Sequence, residues 1–301
     1  LEDVVKQLVE TGVASSAKKG EKLATGVSTL PDFVKDATDR NRTSPFAFTG
    51  NKFEFRTVGS SDSIASPNTT INAIVAEAFC EAADRLEKAE DFDMAVHDLI
   101  KEYMTKHQRI LFSGNGYSKE WYEEAMRRGL PNIQSTIEAA PTLTTDKAVK
   151  LFEKFGIFTR VELESREEII YETYAKTINI EALTMIDMAG KDIIPAVAAY
   201  TGELANTVVT VKEAGAPATA QTELLVEVDS LLAEAKKALK HLEECTVHAN
   251  KIENAKERAF YYKDVVDVAM TALRKPVDKL EMLVDSDIWP MPTYGRLMFE
   301  I

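Results

Sequence analysis

Cysteine is nearly absent: 301 residues hold two, Cys80 and Cys245. They lie far apart and nothing in their spacing suggests a disulfide framework or a four-ligand zinc site, so a reducing, cytoplasmic setting is expected. No apolar run approaches the ~18 residues that a membrane-spanning helix needs, and no membrane partner is expected. Basic residues are in deficit as well. Lys and Arg total 36 against 49 Asp and Glu, a formal net charge of −13. Such a surface repels nucleic acid, so any anion must be caught by a local cluster of cations rather than by the general field. An initiator Met is also lacking. Leu1-Glu2-Asp3 is neither a natural start nor a signal peptide, which leads to the expectation that the chain is part of something longer.

What remains is a chain 45% hydrophobic and 28% charged, enough to bury the core of one large or two ordinary domains. Leu1, Val4, Val5, Leu8 and Val9 sit at helical spacing and stop at Gly12. From Val27 to Val58 the pattern changes to short segments punctuated by Pro31, Pro45 and Gly50, with alternation in Phe46/Phe48 and Phe53/Phe55. Ser66-Pro67-Asn68 then opens an apolar helical face through Ile71, Ile74, Val75, Ala78, Phe79 and Leu86. Further helices are predicted over His97 to Ile110, around Trp121 and Ala125, and beyond Glu162, the last interrupted or kinked at Gly190 and Pro195. Leu224, Val228, Leu231, Ala235, Leu239 and Leu242 trace one stripe, and Ala259, Tyr262, Val266, Ala269 and Leu273 another that Pro276 should interrupt. Long helices joined by short turns favour an antiparallel bundle. The tail Trp289 to Gly295, with Pro290 and Pro292, is predicted to be extended. The fold class expected is mainly α with a short β segment (α+β).

The segment Arg40 to Arg56 concentrates cations around an alternating strand. If residues 52 to 58 form that strand, Phe53 and Phe55 share one face, and Lys52, Glu54 and Arg56 the other. A carboxylate between two cations suits a metal–nucleotide complex: the carboxylate holds a hard divalent ion while ammonium and guanidinium groups hold phosphate oxygens. Arg42 could join from the preceding turn. Alternation alone favours a half-exposed strand with cross-strand ion pairs.

Asn41-Arg42-Thr43-Ser44 followed by Lys52-Phe53-Glu54-Phe55-Arg56 resembles the end of the glutamine synthetase catalytic domain, and the string Asn41 to Arg56 is similar to type III members in particular. Ser66-Pro67-Asn68, Thr177 to Met185 and Trp289 to Gly295 extend the resemblance over nearly all of the chain from Val27 onward. The resemblance implies ATP-dependent ligation of ammonia to glutamate through a γ-glutamyl phosphate, with Mg²⁺ or Mn²⁺ ions. By matched position it implies that Glu54 ligates the metal on the nucleotide phosphates. It likewise implies that Arg56 stabilises the transferring phosphoryl group, Arg42 contacts ATP phosphates and Lys52 lies beside the nucleotide. It divides the chain into the last strands and loops of a catalytic domain (1–66), its helical remainder (67–165) and a C-terminal helical bundle with a tail (166–301), in a homo-oligomer that is dodecameric in the family. The family's remaining metal ligands and Gly-rich segment have no counterpart here. A second family arginine is replaced around Ala47, so no glutamate-binding role is transferred. The isolated chain is expected to lack activity. The rival reading is a helical scaffold or oligomerisation module that keeps the strand motif only as structure.

Weaker signals have ordinary explanations. His241, Cys245 and His248 would share one helix face within reach of a transition metal, yet their apolar neighbours favour packing. Gly114-Asn115-Gly116 lacks the Lys-Ser/Thr successor of a phosphate loop and reads as a turn. His97 and His107 have no nucleophile or carboxylate at informative spacing. The Leu224 to Leu242 stripe is a bundle face first and an assembly surface second.

Overall fold

The computed structural model describes residues 2–13, 22–23, 33–34, 46–48, 53–55, 63–112, 116, 118–292 and 294–299. They divide into two compact units, Leu1–Ile133 with Lys150–Ile157, and Gln134–Val149 with Phe158–Ile301.

In the first unit, α1 (Glu2–Thr11) ends at Gly12, whose N–H donates to the Leu8 carbonyl at 3.0 Å with φ at +80°. The positive φ favours glycine there; a Cβ would also stand 2.8 Å from Lys101 Nζ, the end of a flexible side chain that can move aside. Two short antiparallel pairs follow: β1 (Lys22–Leu23) with β2 (Phe33–Val34), and β3 (Phe46–Phe48) with β4 (Phe53–Phe55). Then come α2 (Ala65–Leu86), α3 (Phe92–His107) and α4 (Lys119–Arg127). The side chains of Asp91 and Ser118 cap α3 and α4 by accepting from Met94 N and Trp121 N. α3 packs against both α1 and α2.

The second unit begins with the single turn α5 (Thr136–Ala139) and a 3₁₀ turn over Ala140–Thr144, after which α6 (Asp146–Lys154) carries the chain onward. α7 (Arg160–Met188) starts in a capping box: Thr159 Oγ1 accepts from Glu162 N, and the Glu162 carboxylate accepts from Thr159 N at 2.8 Å. The interruption or kink expected at Gly190 and Pro195 takes the form of a π-turn rather than a break between helices. A π-turn over Ala189–Ile193 joins α7 directly to α8 (Ile194–Glu213), with Pro195 in the first turn of α8. The wider turn absorbs the N–H that proline lacks.

Gly215 (φ +87°) and Ala218 (φ +50°) reverse the chain into α9 (Thr219–Ala249). α10 (Ala255–Tyr261) passes through a second π-turn, Tyr262–Val266, into α11 (Asp267–Glu281). Pro276 lies buried inside α11 and does not end it, a departure from the sequence expectation. The lost backbone hydrogen bond is outweighed by the packing of the flanking turns, where Leu273 and Leu280 are 1% and 0% exposed. The tail departs in part: residues 289–292 are non-helical as expected, with Trp289 buried, but Tyr294 and Gly295 open a helix, α12 (Tyr294–Phe299).

α9 is the central element and packs against both α8 and α11, while α10 packs on α7. One core gathers Ala182, Leu242, Tyr262, Val266 and Leu273, and a second gathers Val197, Val228, Ala235, Leu280 and Trp289. Trp289 Nε1 is buried and finds no acceptor among the described residues. An orphan donor costs about 1–3 kcal/mol. Trp289→Phe removes that donor and is therefore expected to change unfolding free energy by less than about 1 kcal/mol, whereas Trp289→Ala should cost about 3–5 kcal/mol. Urea denaturation of both variants checks the contrast.

Candidate functional site

The cation-rich strand falls on β3 and β4. Their register pairs Phe46 with Phe55, Ala47 with Glu54 and Phe48 with Phe53, so Glu54 is the middle residue of its strand and stands opposite a small residue. Arg42, Lys52 and Arg56 lie outside the described residues. The backbone therefore places Glu54 in a hairpin at a ladder position, one residue from each of Phe53 and Phe55. Among the described residues no three His, Cys, Asp or Glu side chains gather to hold a metal ion.

That finding also settles the helix-face trio. Cys245 is buried, and its Sγ lies 3.6 Å from Nε2 of His241, but the His248 ring packs against Tyr261 at 5.0 Å instead of joining them. Burial pushes the Cys245 thiol above its ordinary value, which suits a packed thiol rather than a reactive one. His97 is structural: its Nε2 lies 2.9 Å from the Gly12 carbonyl and ties α3 to the end of α1. His107 meets the edge of Tyr103. Of the glycine pair, Gly116 is in a turn, and Gly114 and Asn115 lie outside the described residues.

The structure shows further polar clusters. In the first unit Phe112 stacks on Trp121 at 3.8 Å, and the Arg128 guanidinium lies 5.6 Å from the Trp121 ring while donating to the Leu111 carbonyl at 2.8 Å. The Glu124 carboxylate accepts from Arg127 and Arg128, and the two guanidinium groups hold its pKa down to about 2. The folded value is below the unfolded one. This pair's contribution is therefore complete above the ordinary carboxylate range and lost as pH falls towards about 2. Carboxyl NMR titration is expected to show Glu124 ionising near 2, and Arg128→Ala should move that midpoint upward.

In the second unit Lys263 donates to Glu138 at 2.7 Å, and Glu138 also accepts from Gln134 N. Lys263 foremost, then that amide, hold the Glu138 pKa below its usual value. Glu167 accepts from Thr144 at 2.6 Å and Tyr171 at 2.9 Å; burial first and this carboxylate second raise the Tyr171 pKa. The Tyr262 hydroxyl lies 2.8 Å from the Asn179 side-chain oxygen and 3.0 Å from that of Asn250. One O–H proton serves one of these, so the other carboxamide presents its NH₂. The Lys263–Glu138, Thr144–Glu167 and Tyr262–Asn179 contacts join residues far apart in sequence, which periodicity does not show, whereas Glu124, Arg127 and Arg128 stand at local i, i+3 and i+4 spacing. The three long-range contacts tie helices and turns of the second unit to one another.

Residues 95–212 match the family described as glutamine synthetase C-terminal domain. A glutamine synthetase of Butyrivibrio fibrisolvens is 38% identical over 311 residues, covering 99% of this chain and 43% of its own length. One from Bacteroides fragilis is 35% identical, covering 99% of this chain and 42% of its own. A type-3 glutamine synthetase of Dictyostelium discoideum is 39% identical, covering 91% and 38%. The chain thus spans about two-fifths of the length of these curated relatives.

Proposed function

We propose, for a chain that is a relative of type III glutamine synthetases through the C-terminal portion of that family, that residues 1–66 form one wall of an ATP-dependent glutamate–ammonia ligase site. What carries this reading is the Asn41–Arg56 string, set in a chain similar over 99% of its length to two glutamine synthetases. The reaction is ligation of ammonia to glutamate by way of a γ-glutamyl phosphate. In it Glu54 offers a carboxylate to the divalent ion on the nucleotide, Arg42 and Lys52 hold phosphate oxygens, and Arg56 stabilises the phosphoryl group in transfer.

Phosphoryl transfer asks the protein mainly for positioned positive charge, which agrees with such a set of residues. Magnesium or manganese, when bound, neutralises phosphate charge. The fit to a metal is partial. Glu54 has the hard oxygen chemistry that either ion prefers, but a single carboxylate does not make a site, and no described cluster completes it. The other ligands must come from outside these residues, and the isolated chain is therefore expected to be inactive.

Within this reading, residues 67–165 are the helical remainder of the catalytic domain. Residues 166–301 are an antiparallel helical bundle that contributes to subunit packing in a cytoplasmic homo-oligomer. In the intact enzyme carrying these residues, binding of a non-hydrolysable ATP analogue should require Mg²⁺ or Mn²⁺ and be lost in Glu54→Ala. Isothermal titration measures both. Unchanged, metal-independent binding would favour a scaffold without a catalytic role.

A further inference from the structure

The pair β3–β4 sorts its residues by face. Directly opposite residues of an antiparallel ladder share a face, and successive residues along each strand alternate between faces. The pairs Phe46↔Phe55 and Phe48↔Phe53 therefore put four phenylalanines on one face, and Ala47↔Glu54 is the pair assigned to the other. In sequence, Lys52 and Arg56 stand two residues either side of Glu54, while Pro45 and Thr49 stand two either side of Ala47. Formal charge in this motif thus belongs to the β4 side.

Distance makes the opposite position the decisive one. Directly opposite residues have Cβ atoms about 4.5–5.5 Å apart, nearer than the roughly 6.5–7 Å that separates same-face neighbours along one strand. A cation across from Glu54 would form a cross-strand ion pair with its carboxylate, and that pair would compete with a divalent ion for the same oxygens. Alanine offers the carboxylate nothing. We infer that Ala47 is a positioning residue for the divalent ion: as the small, uncharged ladder partner of Glu54, it leaves that carboxylate's charge to the metal. The inference rests on the reading of Glu54 as a metal ligand, and its test tells the failure of one from the failure of the other.

The experiment is a Mn²⁺ titration of the intact enzyme carrying these residues, followed by electron paramagnetic resonance and scored for the ion that binds only in the presence of a non-hydrolysable ATP analogue. Ala47→Lys is expected to raise the Mn²⁺ concentration that half-fills this site about fivefold, the upper end of what one cross-strand charge pair contributes. Ala47→Glu should lower it by about two- to fivefold, and the neutral Ala47→Gln should stay within about twofold of the parent. Opposite shifts from two charged side chains at one position are an outcome that a misfolded hairpin does not produce. If Glu54→Ala abolishes the site while the Lys and Glu variants shift together or not at all, the inference falls and the reading of Glu54 stands. A Gln variant as weak as the Lys variant would also overturn it, by making bulk rather than charge the cause. A site that survives Glu54→Ala removes both the reading and the inference.

Discussion

Arg56→Ala in the intact enzyme is expected to lower kcat for glutamine formation by about 10³-fold or more, the scale seen when an arginine that stabilises a transferring phosphoryl group is removed. The reason is charge placement. Negative charge spreads over the phosphoryl oxygens in the transition state, and a planar guanidinium meets two of them at once. Arg56→Lys keeps the charge but not the fork, so it should recover only part of the loss. The effect belongs in kcat more than in KM, because the contact strengthens as the phosphoryl group leaves ATP. Steady-state kinetics of the two variants, with circular dichroism to confirm folding, measures this. A scaffold that kept the strand only as structure would show no kinetic loss in either variant.

The largest expected loss of stability is Tyr262→Ala. Tyr262 is 1% exposed, stands at the start of the second π-turn, and belongs to the core shared by α7, α9 and α11. Truncating a buried aromatic costs about 3–5 kcal/mol through lost contacts and the cavity left behind. Tyr262→Phe keeps the ring and removes the hydroxyl that Asn179 and Asn250 share, at a cost of about 1–3 kcal/mol. The ordering of the two variants separates packing from hydrogen bonding. Urea unfolding in a Trp121→Phe background follows Trp289 alone and so reports on the second unit. Equal losses would mean that the ring is not packed as described.

The helices were legible because each signal was local. Gly12 ends α1, and the Leu224 to Leu242 spacing marks the inward side of α9. Pro276 misled because proline reports only its missing N–H, while the packing that tolerates it comes from residues distant in sequence. Gly190 and Pro195 marked the place where the regular helix is interrupted, but not that the interruption is a π-turn, a backbone solution that composition does not announce. The tail helix Tyr294–Phe299 was hidden by the two prolines before it. The candidate site shows the opposite balance. Its residues were found by motif, and the structure adds the backbone register of Glu54 across from Ala47.

By itself, the sequence determined that the chain is mainly helical, acidic, and marked by one cation-rich segment, since periodicity, charge and motif are properties of neighbouring residues. Only the tertiary structure decided that His248 packs on Tyr261 rather than joining Cys245 in a metal site, and that Lys263 meets Glu138. Those outcomes depend on which helices approach one another. That approach is set by burial summed over many distant contacts, and no short stretch of sequence contains the sum.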